Sequence, residues 1–99
     1  MKIQIREREV ALTLAVRTHV EQRLGMALGR FANEIERVSV RFSNVAGDNG
    51  SEKRCEIDVS LRPRNVHVED TDAQLVLAVD RASGRVSRLV SRARENHRS

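Results

Sequence analysis

Ninety-nine residues with 18 Lys and Arg against 14 Asp and Glu, 39% hydrophobic and 32% charged, make one globular domain spanning 1–99, with neither two domains nor the bias of a disordered chain. The two aromatic residues, Phe31 and Phe42, argue against recognising unpaired bases by stacking, and the one cysteine, Cys55, excludes an internal disulfide. The opening Met1-Lys2-Ile3-Gln4-Ile5 is too short and polar for a signal peptide and no apolar run approaches a membrane span, so a cytoplasmic location is expected.

Met1 to Arg6 alternates, with Ile3 and Ile5 on one side and Lys2, Gln4 and Arg6 on the other, as a half-buried strand requires. A connector follows, and Thr13 is the expected N-cap of a helix running to about Phe31. Val16, Val20, Leu24, Ala27 and Phe31 share an arc of about 80° and form its core stripe. His19, Arg23 and Arg30 lie on one flank of that stripe. Gly25 and Gly29 each weaken the helix by up to about 1 kcal/mol relative to Ala, and mark either close packing or an early end near Leu24.

Ile35 to Ser43 alternates again, Val38, Val40 and Phe42 facing inward. Asn44 to Glu52, containing Gly47-Asp48-Asn49-Gly50-Ser51, reads as a turn-rich loop. Lys53 to Arg62 is the clearest strand, with Cys55, Ile57, Val59 and Leu61 inward and Arg54, Glu56, Asp58, Ser60 and Arg62 outward. Pro63-Arg64-Asn65 breaks it, and Val66 and Val68 form a last short strand with His67 and Glu69 outward. Asp70 and Asp72 are expected near the start of the final helix, where its dipole favours carboxylates.

That helix, Asp72 to Glu95, carries two stripes. Leu75, Ala78, Val79, Ala82, Val86, Leu89, Val90 and Ala93 fall within an arc of about 120° suited to the core. Arg81, Arg85, Arg88 and Arg92 fall in a second arc of about 60°, with no acidic row on it. The charge is segregated: residues 1–80 sum to −1 and residues 81–99 to +5. Guanidinium groups about 5–6 Å apart along a helix suit the regularly spaced phosphates of a nucleic acid. The ordinary alternatives are a solvated face and the preference of cations for helix C-termini, which accounts for Arg92 and Arg94 better than for Arg81 and Arg85. Glu56 and Asp58 on one strand face suit cross-strand partnership with Arg41, Arg54 or Arg62 better than acid–base work. His19, Cys55 and His67 lack metal-ligand spacing, and no Gly-rich phosphate loop or nucleophile–base arrangement is present, so neither metal, cofactor nor catalysis is expected.

The order is β-α-β-β-β-α. The fold expected is α+β, a four-stranded mixed sheet with the first two strands parallel through a right-handed crossover, and two helices packed on one face. On the residues Met1 to Ile5, Val10-Ala11-Leu12-Thr13, Ala15 to Leu24, Phe31, Cys55 to Leu61, Val66-His67-Val68-Glu69, and Leu75, Ala78, Val79, Asp80, Arg81 and Arg88, the chain resembles the ribosome hibernation promoting factors. That family is also called protein Y or ribosome-associated inhibitor, and sigma-factor modulation proteins in older usage. It departs where the family has Asp-Met-Tyr-Ala-Ala-Ile-Asp (here Asp70-Thr71-Asp72-Ala73-Gln74-Leu75-Val76), where Pro63-Arg64-Asn65 replaces a glycine turn, and where Arg81-Ala82-Ser83-Gly84-Arg85-Val86 replaces Lys-Leu-x-x-Gln-Leu.

The resemblance implies binding to the small ribosomal subunit and its RNA in the messenger and transfer RNA channel, which blocks translation and preserves idle ribosomes, with no catalysis and no cofactor. It implies Arg17, Arg23, Arg81 and Arg88 as phosphate contacts; Arg85 and Arg92 join them on the stripe alone. The C-terminal dimerisation domain of long members has no counterpart, so ribosome dimerisation through it is not expected. The alternative is a protein-interaction or self-assembling module using a sheet edge or Val76 and Leu77.

Overall fold

A computed structural model describes residues 1–47, 50–62 and 64–98; for Gly47, Gly50 and 96–98 the description is of backbone only. The elements are β1 (Lys2–Arg8), α1 (Leu14–Leu28), a 3-10 turn (Gly29–Phe31), β2 (Ile35–Gly47), β3 (Gly50–Leu61), β4 (Val66–Asp72) and α2 (Leu75–Arg98). This is the expected α+β order. The sheet runs β1-β2-β3-β4, with β1 parallel to β2 and the other neighbours antiparallel.

Alternation along the strands decides which face of the sheet is covered. Val38, Val40, Phe42, Cys55, Ile57 and Val59 are all fully buried, and they meet Val20, Leu24 and Leu28 of α1 and Ala78, Val79, Ala82, Val86 and Val90 of α2 in one core. The other sheet face stays open. Burial moves the Cys55 thiol up to about 12, with Asp70 and Glu56 adding to the effect, so it is a neutral core group and no nucleophile.

Thr13 caps α1 as expected, its hydroxyl accepting from the Val16 amide at 3.1 Å. The helix passes Gly25, where an added Cβ would meet nothing within 4 Å, so close packing does not explain that glycine. The α-helix ends at Leu28, and the 3-10 turn carries the chain to Phe31. Leu28 is fully buried while Ala27 is only partly so: the smaller side chain lies on the rim. Phe31 sits between two cations, the guanidinium carbons of Arg30 and Arg94 lying 4.6 and 5.8 Å from its ring centre. Arg94 also meets Glu34 at 2.9 Å, tying the last turns of α2 to the exit of α1.

Three expectations are corrected. The loop expected at Asn44 to Glu52 is mostly strand, because Asn44, Val45, Ala46 and Gly47 pair with Lys53, Glu52, Ser51 and Gly50; Asp48 and Asn49 lie outside the described residues. Asn44 locks this ladder to β1, accepting from Lys53 Nζ at 2.6 Å and donating to the Glu9 carbonyl at 2.7 Å. Glu9 itself has φ 60°, a left-handed conformation that favours glycine and costs a glutamate about 1 kcal/mol. Asp70 and Asp72 are not in a helix entry: β4 continues to Asp72, paired with β3 as Cys55↔Asp70 and Lys53↔Asp72. The final helix accordingly starts at Leu75 and continues to Arg98. Asp72 still reaches that entry, accepting from the Gln74 amide at 2.8 Å.

Ser83 is fully buried and its hydroxyl has no hydrogen-bond partner, whereas Ser87, one turn on, donates to the Ala27 carbonyl at 2.9 Å. Ser83→Ala is therefore expected to raise the stability by about 1 kcal/mol, and Leu28→Ala to lower it by about 2–5 kcal/mol, both read from urea midpoints at unchanged slope.

Candidate nucleic-acid interface

α2 rests its apolar stripe on β3 and β4, and this fixes where every other face of the helix points. One flank meets α1. Ser87 reaches Ala27 there, and Asp80 Oδ1 lies 2.9 Å from His19 Nε2 and 3.3 Å from Arg23 Nε. The arginine stripe lies on the opposite flank, over edge strand β4. The two basic flanks thus do not merge. Arg23 is held between the helices by Asp80, and Arg17 pairs with Glu7 of β1.

Within the stripe the four arginines divide in two. Arg81 is bound by two carboxylates: Nε and Nη2 grip Asp70 at 3.1 and 3.0 Å, and Nη2 also donates to Asp72 at 2.9 Å and to the Thr71 carbonyl at 3.0 Å. Those bonds, to Asp70 first and Asp72 second, move its ionisation further above the ordinary range. Asp72 is held below the ordinary carboxylate range, by the Gln74 amide first and by Arg81 second. Arg85 donates to the Glu69 carbonyl, and its Nη1 is 3.9 Å from Asp70. The helix carries no acidic row on this arc, but β4 supplies one to its first two arginines.

Among the described residues no ion pair or hydrogen bond engages Arg88 or Arg92. With Arg85 they line an open groove of about 550 Å³ between α2 and β4, whose other wall is His67, Val68 and Glu69. A second hollow of about 350 Å³ continues it past Arg92 to Arg64 and Asn65. Arg64, read from sequence only as part of a break, and His67, read as surface, thus flank the free arginines. The groove holds guanidinium donors in a shallow concavity, which suits a phosphate backbone better than a small molecule.

The open sheet face presents Glu56, His67 and Glu69 with potential ligand atoms within 4.8 Å of one another. Their charges are already answered within the protein: Arg41 lies 3.1 Å from Glu56, and His67 Nδ1 lies 2.6 Å from Asp58. The bond to Asp58 is the main cause that raises the His67 pKa above 6.5. The exposed apolar side chains Val76 and Leu77 are joined by the more exposed Leu14 and Met26 of α1.

Arg81→Ala leaves Asp72 without its cation and Asp70 with only the more distant Arg85, and is expected to lower the melting temperature, while Arg88→Ala leaves it unchanged. The Asp72 contribution is present above its ordinary value of 3.8 and fades as the pH falls through its lowered folded value, so the gap between Arg81→Ala and the parent protein should close in acid. Scanning calorimetry at neutral pH and near pH 3 checks both statements.

Solved structures share this fold. The N-terminal domain of Protein Y from Thermus thermophilus is 32% identical, with a TM-score of 0.76 over 93% of this chain and 98% of that one. A ribosomal subunit interface protein from Coxiella burnetii shares the fold at 19% identity, with a TM-score of 0.79 over 96% of this chain and 99% of that one. No curated protein sequence matches the chain. Residues 3–98 match the family described as sigma 54 modulation protein / S30EA ribosomal protein, and the chain belongs to that family.

Proposed function

We propose that this protein binds the small ribosomal subunit, lying against ribosomal RNA in the channel used by messenger and transfer RNA, and that it inhibits translation there and promotes ribosome hibernation. It acts by occupancy, as a binding protein of the cytoplasm and not as a catalyst. One observation carries the reading: Arg88 and Arg92, unengaged among the described residues, stand with Arg85 along an open groove on the outer flank of α2. Membership of the S30EA family and the likeness to a protein named for the ribosomal subunit interface support the same reading.

On this reading, internal pairing grades the arginines as candidates for contact. Arg88 and Arg92 have no internal partner to give up, so each phosphate they neutralise releases counterions in full. Arg85 gives up a carbonyl and a distant carboxylate. Arg17, Arg23 and Arg81 are paired with Glu7, Asp80, Asp70 and Asp72, so they offer a phosphate less net attraction and contribute less to binding. Recognition of this kind is led by shape and charge, not by base sequence.

The protein is expected to travel with the small subunit or the intact ribosome through sucrose gradients at low and near-physiological salt, and to reduce synthesis in a reconstituted translation system. Arg88→Ala with Arg92→Ala should weaken binding about tenfold at low salt and flatten the salt dependence by one to two counterions, without altering the melting temperature. Protein that stays at the top of the gradient at both salts would refute ribosome binding.

A further inference from the structure

The open face of the sheet carries a second concentration of positive charge, remote from α2 and not used above. Its β1–β2 half presents Lys2, Gln4, Arg6 and Arg8 from one strand and Arg37, Ser39, Arg41 and Ser43 from the other, by the alternation that buries Val38, Val40 and Phe42 on the reverse side. None of these eight residues is acidic. The parallel register puts Lys2 beside Arg37 and Arg6 beside Arg41, and β3 adds Arg54 next to Ser43. Directly opposed like charges oppose pairing, so this arrangement works against the stability of the sheet. Among the described residues only Arg41 of this group has ion-pair partners, Glu56 at 3.1 Å and Asp58 at 3.6 Å. Glu7, the acid of β1, points to the other side and serves Arg17.

We infer that the β1–β2 half of the open sheet face, centred on Arg6 and Arg37, is a second RNA-backbone contact surface, so that the domain is gripped on two opposite sides when it binds. The inference rests on the ribosome-binding reading and extends it to a face that the helical stripe does not reach. Charge complementarity selects the occupant. Cations on neighbouring strands stand about 5 Å apart, and from Lys2 to Arg8 they run for about 20 Å along the strand, forming a band suited to a run of phosphates. Two hollows of about 500 and 280 Å³ flank Arg6, with Ser43 in one and Ser39 in the other as hydroxyl donors; Glu7 and Glu56 also line the first, and Asp58 the second. The β3–β4 half, with Glu56, Asp58 and Glu69, bounds the band on one side and repels a phosphate strand, confining contact to β1–β2.

The test compares Arg6→Ala with Arg37→Ala, Arg88→Ala with Arg92→Ala, and all four together, for binding to purified small ribosomal subunits between 50 and 200 mM salt. Circular dichroism and melting confirm folding. The Arg6/Arg37 pair is expected to lose about tenfold in affinity at low salt and to lower the salt slope by one to two, and the four-fold variant to show both losses. Undiminished binding by Arg6→Ala with Arg37→Ala, beside weakened binding by the α2 pair, overturns the sheet-face surface and leaves the ribosome reading standing. Absence of binding by the parent protein overturns both. Sedimentation velocity separates another occupant: a dimer that the Arg6/Arg37 changes dissolve, with the RNA salt slope unchanged, would show that the basic half meets the acidic half of a second copy and would refute the RNA surface.

Discussion

The seating of α2 on β3 and β4 is the constraint from which the rest of the molecule follows. Its apolar stripe is satisfied only against the buried face of the sheet, where Val86 and Val90 join Ile57 and Val59. Once that stripe is placed, a helix has no freedom left in where its other side chains go. One flank must face α1 and the other must overhang β4. The small side chains Ala78, Ala82 and Ser83 let α2 lie close to its neighbours, and the polar contacts at Asp80, Ser87 and Arg94 fix it against α1 and the turn that follows. Hydrophobic burial thus decides the direction in which the arginines point, and electrostatics acts on a geometry already set.

Along that overhang the protein's own carboxylates compete with any external anion. Asp70 and Asp72 come from β4 just before the helix begins, and they hold Arg81 through Nε and Nη2 and Arg85 more distantly. The competition fades as α2 advances, because the helix runs back along β4, away from its acidic end at Asp70 and Asp72 and toward His67 and Arg64. Arg88 and Arg92 therefore have no ion-pair partner among the described residues, although Glu69 lines the same groove. The gradient has a structural use as well: on this flank the first turns of α2 are pinned by charge, while Arg88 and Arg92 keep theirs for a partner.

The sequence made the elements and their faces legible because both signals are local. Alternation from Lys53 to Leu61 and the hydroxyl of Thr13 act within a few residues, and so did the 3.6-residue stripe of α2. The extra rungs of the β2–β3 hairpin and the last residues of β4 were not legible. Asn44 to Gly47 and Glu69 to Asp72 carry turn-type or acidic residues, and only hydrogen bonds to a neighbouring strand make them extended. The candidate site split the same way. The arginine arc was readable from spacing, whereas its internal neutralisation depended on strand-to-helix contacts nine to eleven residues back, at Asp70 and Asp72. Those two acids were in view, but a helix dipole explained them equally well from sequence. The placement of Arg64 and His67 beside the groove had no local signal at all.

The one-sided covering of the sheet has a consequence for how this fold changes over generations. Each strand is written in two interleaved alphabets. Every second letter is dictated by packing against the helices, and the letters between answer at most to exposed ion pairs such as Arg41 with Glu56. A substitution at Arg37 or Ser39 alters no buried contact, while Val38 beside them admits little change. A lineage can thus rewrite its exterior almost letter by letter with the scaffold intact, in keeping with a shared fold at 19% identity. The architecture separates what must be inherited from what is free to adapt, and the boundary between the two is one residue wide.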